Sequence, residues 1–149
     1  MNRLVEIYTD GACSGNQFKD NLGGWGAELF YGDKKKEIFG GERNTTNNRM
    51  EMKACIMGLR EMKSTDIQIK LYSDSAYIVN CINKKWYMKW EKNGWKTSKK
   101  EPVENKGFWV ELLELTRKFN VEFVKVKGHA GIEHNERADE LANKGMDSI

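Results

Sequence analysis

Cysteine, long apolar runs and internal repeats are all scarce in this sequence of 149 residues. The three cysteines, Cys13, Cys55 and Cys81, are odd in number and scattered. They suit neither a disulfide framework nor a zinc site, and read instead as buried thiols in a reducing compartment. No apolar run approaches the roughly 18 to 20 residues that a membrane helix needs, and the N-terminus shows no basic-then-apolar leader. Neither a repeat nor a low-complexity linker divides the chain. The expectation is a cytoplasmic protein without membrane attachment, monomeric and folded as one domain over residues 1–149. A chain of this length buries roughly 68 to 70% of its unfolded surface, enough for a core without covalent staples.

The net charge of +3 hides an asymmetry. Lys84 to Lys100, "KKWYMKWEKNGWKTSKK", holds seven lysines against one glutamate, so this segment carries +6 and the remainder −3. Basicity concentrated in one place points to a phosphate-bearing polymer. Trp86, Trp90 and Trp95 are interleaved with the lysines. Because Trp86 and Trp90 lie one helical turn apart, some of these rings are expected to face the core while the lysines stay in solvent. The segment reads as a nucleic-acid docking arm, with Lys85, Trp86, Lys89 and Lys96 as contact residues.

Hydrophobic periodicity outlines an α/β domain of the form βββαβαβα with extra helices in the middle. Leu4 to Thr9 alternates as a strand, and residues 23–41 form a hairpin turning near Gly32 and Asp33. Met52, Cys55, Ile56, Leu59 and Met62 repeat at helical spacing behind a Thr and Asn start signal. Ile67 to Tyr72 is a strand reached by a crossover, which favours a parallel neighbour. A short helix covers Ser75 to Asn83, and another follows Pro102. "VEFVKVKG" is a last strand, and "HNERADELANKG" a last helix ended by Gly145.

Alternation puts Glu6, Tyr8 and Asp10 on one face of the first strand, and Gln68, Lys70, Tyr72 and Asp74 on one face of the later one. The two strand ends read alike, "YTDGA" and "YSDSA". Parallel neighbours lie about 4.8 Å apart, so their C-terminal ends set Asp10 beside Asp74. Adjacent carboxylates repel unless one takes a proton or both share a cation, and oxygen donors suit a hard divalent ion such as magnesium. Each aspartate can equally close a turn, which local sequence does not decide. Glu51 shares a helix face with Asn47 and Asn48. Its spacing from Asn48 also fits a capping box, unless Thr46 or Asn47 caps and leaves Glu51 free for a metal. Asp139 follows Asn135 by one helical turn, where an acidic residue also favours the helix dipole. His129, in the glycine-flanked "VKGHAG", can shuttle protons. No Cys or Ser nucleophile has a base at a suggestive spacing.

Taken together, "YTDGACSGN", "TTNNRMEM", "YSDSAYI", "KNGWKT", "VKGHAG" and "NERADELA" occur in the order and approximate spacing of bacterial ribonuclease HI, which this chain resembles over nearly its whole length. The resemblance implies the ribonuclease H fold: a mixed five-stranded sheet in order 3-2-1-4-5, flanked by helices, with a basic protrusion from Trp86 to Lys100. It implies endonucleolytic cleavage of the RNA strand of RNA–DNA hybrids, leaving a 5′-phosphate and a 3′-hydroxyl, with two Mg2+ ions for which Mn2+ can substitute. Asp10, Glu51, Asp74 and Asp139 fall on the family's catalytic, metal-holding carboxylates, and His129 on its loop histidine. Cys13, Ser14, Gly15, Asn16, Thr46, Asn47, Asn48 and Asn135 fall among substrate-contact positions, where recognition of the 2′-hydroxyl distinguishes RNA. Two departures stand out. "QFKDNLGG" is longer than the usual proline and glycine run, and Ala76 replaces a polar side chain common in relatives.

Overall fold

The computed structural model describes residues 3–14, 21–96, 100–126 and 133–149, with only the backbone described for Arg3 and for residues 133–135. Strands β1 (Arg3–Ser14), β2 (Leu22–Tyr31) and β3 (Lys34–Arg43) form an antiparallel meander. The two-residue connection between β2 and β3 contains Gly32 at φ 61°, a left-handed conformation that glycine adopts without a Cβ clash. Helix α1 (Asn47–Arg60) crosses to β4 (Ile67–Ser73), which pairs parallel to β1 in the register Ile7↔Leu71 and Tyr8↔Tyr72. Helices α2 (Ala76–Asn83), α3 (Trp86–Lys92) and α4 (Lys106–Lys118) lead to β5 (Asn120–Lys125), parallel to β4, and then to α5 (Glu133–Asp147). The sheet order is β3-β2-β1-β4-β5, as expected from the sequence.

The sheet has two dressed faces. On one, Val5, Ile7, Ile69 and Leu71 pack with Met52, Cys55, Ile56 and Leu59 of α1 and with Trp109 and Leu112 of α4. Each such aliphatic side chain, taken fully out of water, stabilises the fold by roughly 1.5–3 kcal/mol. On the other face, α5 lies directly on backbone. A Cβ at Gly24 would stand 2.0 Å from the Ala142 carbonyl oxygen, and one at Gly145 would stand 2.1 Å from that of Gly40. This glycine floor corrects one expectation. Gly145 does not end the last helix, which continues to Asp147; it is there because helix and strand backbones touch.

A bidentate ion pair completes the seat of α5. The Arg137 guanidinium donates to both Glu37 carboxylate oxygens, at 2.7 and 2.9 Å.

Candidate active site

Two residues past Tyr8↔Tyr72, the last pair of the parallel ladder, Asp10 and Asp74 stand near each other as the sequence predicts, with one correction: Asp74 follows the end of β4, whereas β1 runs on to Ser14 against β2, so Asp10 lies within its strand and not at its end. Below them, the Tyr8 and Tyr72 rings stack at 4.4 Å. The Tyr72 hydroxyl donates to Glu6 at 2.6 Å. Thr9, on the opposite face of β1, donates its hydroxyl to the Tyr72 carbonyl at 2.9 Å, tying the two strands together.

Glu51 arrives from α1, and the capping question resolves in its favour. The Thr46 hydroxyl caps the helix by accepting from the Arg49 amide at 3.2 Å. Glu51 is therefore free of the helix start, and its Oε1 accepts from the Gly11 amide at 3.0 Å. Oxygens of Asp10, Glu51 and Asp74 all lie within 4.8 Å of one another. Asp139 of α5 lines the same open cleft of about 390 Å³, together with Asn47, Asn48, Ser75, Ala76 and Tyr77.

The electrostatics follow from crowding acids where water is scarce. Asp10 is 4% exposed and so is Glu51. Burial pushes Asp10 up to about 7, with the neighbouring Asp74 and Asp139 adding to the rise. Burial, followed by the charge on Asp10, holds Glu51 well above the usual carboxylate range. Glu51 Oε2 is buried without a hydrogen-bond partner among the described residues. A buried acceptor in that state is costly unless something neutralises it. The cluster consists of oxygen donors alone, which is the donor chemistry of a hard divalent cation.

The other predicted residues divide by location. Asn47 and Asn48 are exposed at the rim of the cleft. Cys13 is half-buried, and the exposed Ser14 exchanges 3.3 Å contacts with the backbone of Leu22, which close the end of the β1–β2 ladder. Lys85, Trp86, Lys89 and Lys96 are exposed on the α3 protrusion, while Trp90 and Trp95 turn inward, Trp90 lying 5.8 Å from Trp109. The protrusion is anchored by Arg117 of α4, which donates to both Glu91 oxygens at 2.7 and 2.8 Å. Gly15, Asn16 and His129 lie outside the described residues, as does the side chain of Asn135.

Three contributors escaped the sequence reading. Gly11 supplies the amide between Asp10 and Glu51; the only local sign of it was a glycine directly after Asp10. Tyr77 lines the cleft with its hydroxyl accepting from the Trp109 indole at 2.9 Å. Asn21, within the unusual "QFKDNLGG" stretch, is buried against the Asn44–Thr45 connection that leads into α1.

Comparison with known proteins decides the family. The model of the RNase H family matches residues 2–147. The chain belongs to the ribonuclease H family. It is accordingly a nuclease of the hydrolase class. The ribonuclease H of Clostridium botulinum (strain Hall) is 52% identical over 147 residues, covering 99% of this chain and 98% of the relative. That of Chlorobaculum parvum is 54% identical over 142 residues, covering 95% and 94%. Among solved structures, LC9-RNase H1, a type 1 RNase H with the type 2 active-site motif, aligns with a TM-score of 0.87 at 31% identity, covering 99% of this chain and 74% of that one. LC11-RNase H1, solved in complex with an RNA/DNA hybrid, aligns with a TM-score of 0.72 at 25% identity, covering 97% of each chain. No helix among the described residues is long and apolar enough to cross a membrane.

Proposed function

We propose that this ribonuclease H family member cleaves the RNA strand of RNA–DNA hybrids endonucleolytically, with two Mg2+ ions at Asp10, Glu51, Asp74 and Asp139, leaving a 5′-phosphate and a 3′-hydroxyl. The observation that carries this reading is the cluster of three carboxylates within 4.8 Å, one of them with a buried, unpartnered oxygen. Protons or cations must neutralise such a cluster, and an all-oxygen donor set fits magnesium, with manganese as a substitute.

When bound, divalent ions supply activation of a water nucleophile and stabilisation of the leaving oxygen in an in-line displacement. The protein's own contribution is arrangement. Gly11 fixes the Glu51 carboxylate and Thr9 fixes the spacing of β1 and β4, so the donors are preorganised. Asn47 and Asn48 offer amide donors and acceptors at the rim, suited to the 2′-hydroxyls of an RNA strand. Cys13, Ser14, Gly15, Asn16, Thr46 and Asn135 join them as substrate contacts on the family pattern alone. His129 assists proton transfer or product departure. Lys85, Trp86, Lys89 and Lys96 engage the sugar–phosphate backbone beyond the cleft. The structural relative bound to a hybrid supports the same substrate class.

We also read the chain as a single domain, monomeric and cytoplasmic. All three cysteines are free, and burial pushes the Cys55 thiol up to about 12, which suits a permanently reduced residue.

The deciding assay offers labelled RNA–DNA hybrid, double-stranded RNA and double-stranded DNA with Mg2+ or chelator. Only hybrid with Mg2+ is cut. Asp10→Asn abolishes cleavage while hybrid binding survives; cleavage at the parent rate by that variant would remove the metal-site assignment.

A further inference from the structure

Asn21 is 7% exposed and commits its entire side-chain amide. Its Nδ2 donates to the Thr45 carbonyl at 2.8 Å and to Cys13 Sγ at 3.2 Å, while its Oδ1 accepts from the Thr45 amide at 3.0 Å. The pair of bonds to one residue's N–H and C=O imitates the pairing of a neighbouring strand, and fixes Thr45 in position and in rotation. The Asn21 backbone carbonyl also accepts from Asn44 at 3.0 Å.

This junction lies where the chain changes direction. The ladder between β2 and β3 ends at Leu22↔Arg43. Asn44 then adopts φ 57°, and Thr46 caps α1 two residues later. The Thr45 side chain is wedged as well, since a Cβ at Gly23 would stand 2.3 Å from its Cγ2. Thr45, held by Asn21, is thus the residue immediately before the Thr46 cap and the start of α1, which carries Asn47 and Asn48.

The carboxylates are held differently. Glu51, one turn further into the same helix as Asn47 and Asn48, has its own tie to the Gly11 amide of β1, and Met50, Met52 and Cys55 around it are buried in the core.

We infer that Asn21 is a positioning residue for substrate recognition: it holds the Asn44–Thr46 connection in the register that presents Asn47 and Asn48, at the start of α1, to the RNA strand, independently of metal binding. The inference rests on the hybrid-cleaving function proposed above.

The test uses the full chain with Asn21→Ala, and with the near-isosteric Asn21→Asp, which keeps an acceptor for the Thr45 amide and removes both donors. Binding of a fluorescein-labelled RNA–DNA hybrid is followed by anisotropy in chelator, Mg2+ binding by calorimetry, and folding by thermal melting. Asn21→Ala is expected to weaken hybrid binding about tenfold and to raise KM with kcat nearly unchanged, Asn21→Asp at least as much because its second carboxylate oxygen faces the Thr45 carbonyl oxygen, while Mg2+ affinity stays within about twofold of the parent. Unchanged hybrid affinity in a folded Asn21→Ala variant overturns the inference. A parallel loss of Mg2+ affinity does the same, as does failure of both variants to fold, because each makes Asn21 a general structural residue. The proposed function fails separately, if the parent protein itself does not bind or cut the hybrid.

Discussion

The Gly11 amide donates to Glu51 Oε1 at 3.0 Å, joining the central strand β1 to the first turns of α1 at the point where the carboxylates meet. The contact is tight on both sides. A Cβ at Gly11 would lie 2.4 Å from the Glu51 backbone nitrogen. Gly11→Ala is therefore expected to separate β1 from α1, lowering stability by about 1–3 kcal/mol as an overpacked position does. It should also weaken Mg2+ binding. Urea unfolding and calorimetry check the two effects, and a variant with both unchanged would show that the helix start can yield.

The crowded acids give the metal-free protein an unusual pH profile. Asp10 titrates near 7 in the fold, against an ordinary value of 3.8. Between those values the folded state holds a proton that the unfolded chain has released, so stability falls as pH rises, by up to about 1.4 kcal/mol per pH unit for one proton. The raised Glu51 acts in the same direction. Mg2+ displaces those protons, so its affinity should climb as pH passes through 7. Melting in chelator from pH 4 to 8 checks the first statement, and Mg2+ titration at several pH values the second. Asp10→Asn should flatten part of the melting slope.

The clamp on α5 has the opposite sign. The Arg137 guanidinium holds Glu37 down at about 2, against 4.5 ordinarily. Its contribution is fully present above pH 4.5 and disappears as pH falls through about 2. The stability gap between the parent and Glu37→Gln should be constant near neutrality and close on acidification. A gap that persists at pH 2 would mean the substitution acts through packing instead of charge.

The exposed lysines of the protrusion should appear in the salt dependence of binding. Replacing Lys85, Lys89 and Lys96 by alanine is expected to reduce the slope of log affinity against log salt by roughly 0.7 to 0.9 for each phosphate that is no longer neutralised. Anisotropy titrations across a salt series measure this directly. An unaltered slope would mean that the protrusion does not touch the hybrid.

How far the sequence could be read depended on the range of the interactions. The β1–β4 pairing and its two aspartates were legible because alternation is local and the crossover rule fixes the parallel neighbour. Asp139 was not legible from spacing alone, since a helical acid near an N-terminus looks the same with or without a cleft opposite it; its place followed from the family pattern. Gly145 misled because the signal for a helix end and the requirement for close backbone approach select the same residue. Asn21 was hidden for a different reason. Its partners, Cys13 and Thr45, are brought to it by the meander, and no periodicity records that meeting.

Asp10, Glu51, Asp74 and Asp139 come from β1, from α1, from the turn after β4 and from α5, four segments that converge only through the finished sheet. No hairpin or helix pair holds more than a fraction of the site. On the proposed function a partly folded chain is therefore expected to be catalytically silent, and the mutual repulsion of the acids arises only once the four segments have met. During refolding, recovery of cleavage should lag behind recovery of helix signal, making the reaction itself a sensor of complete closure.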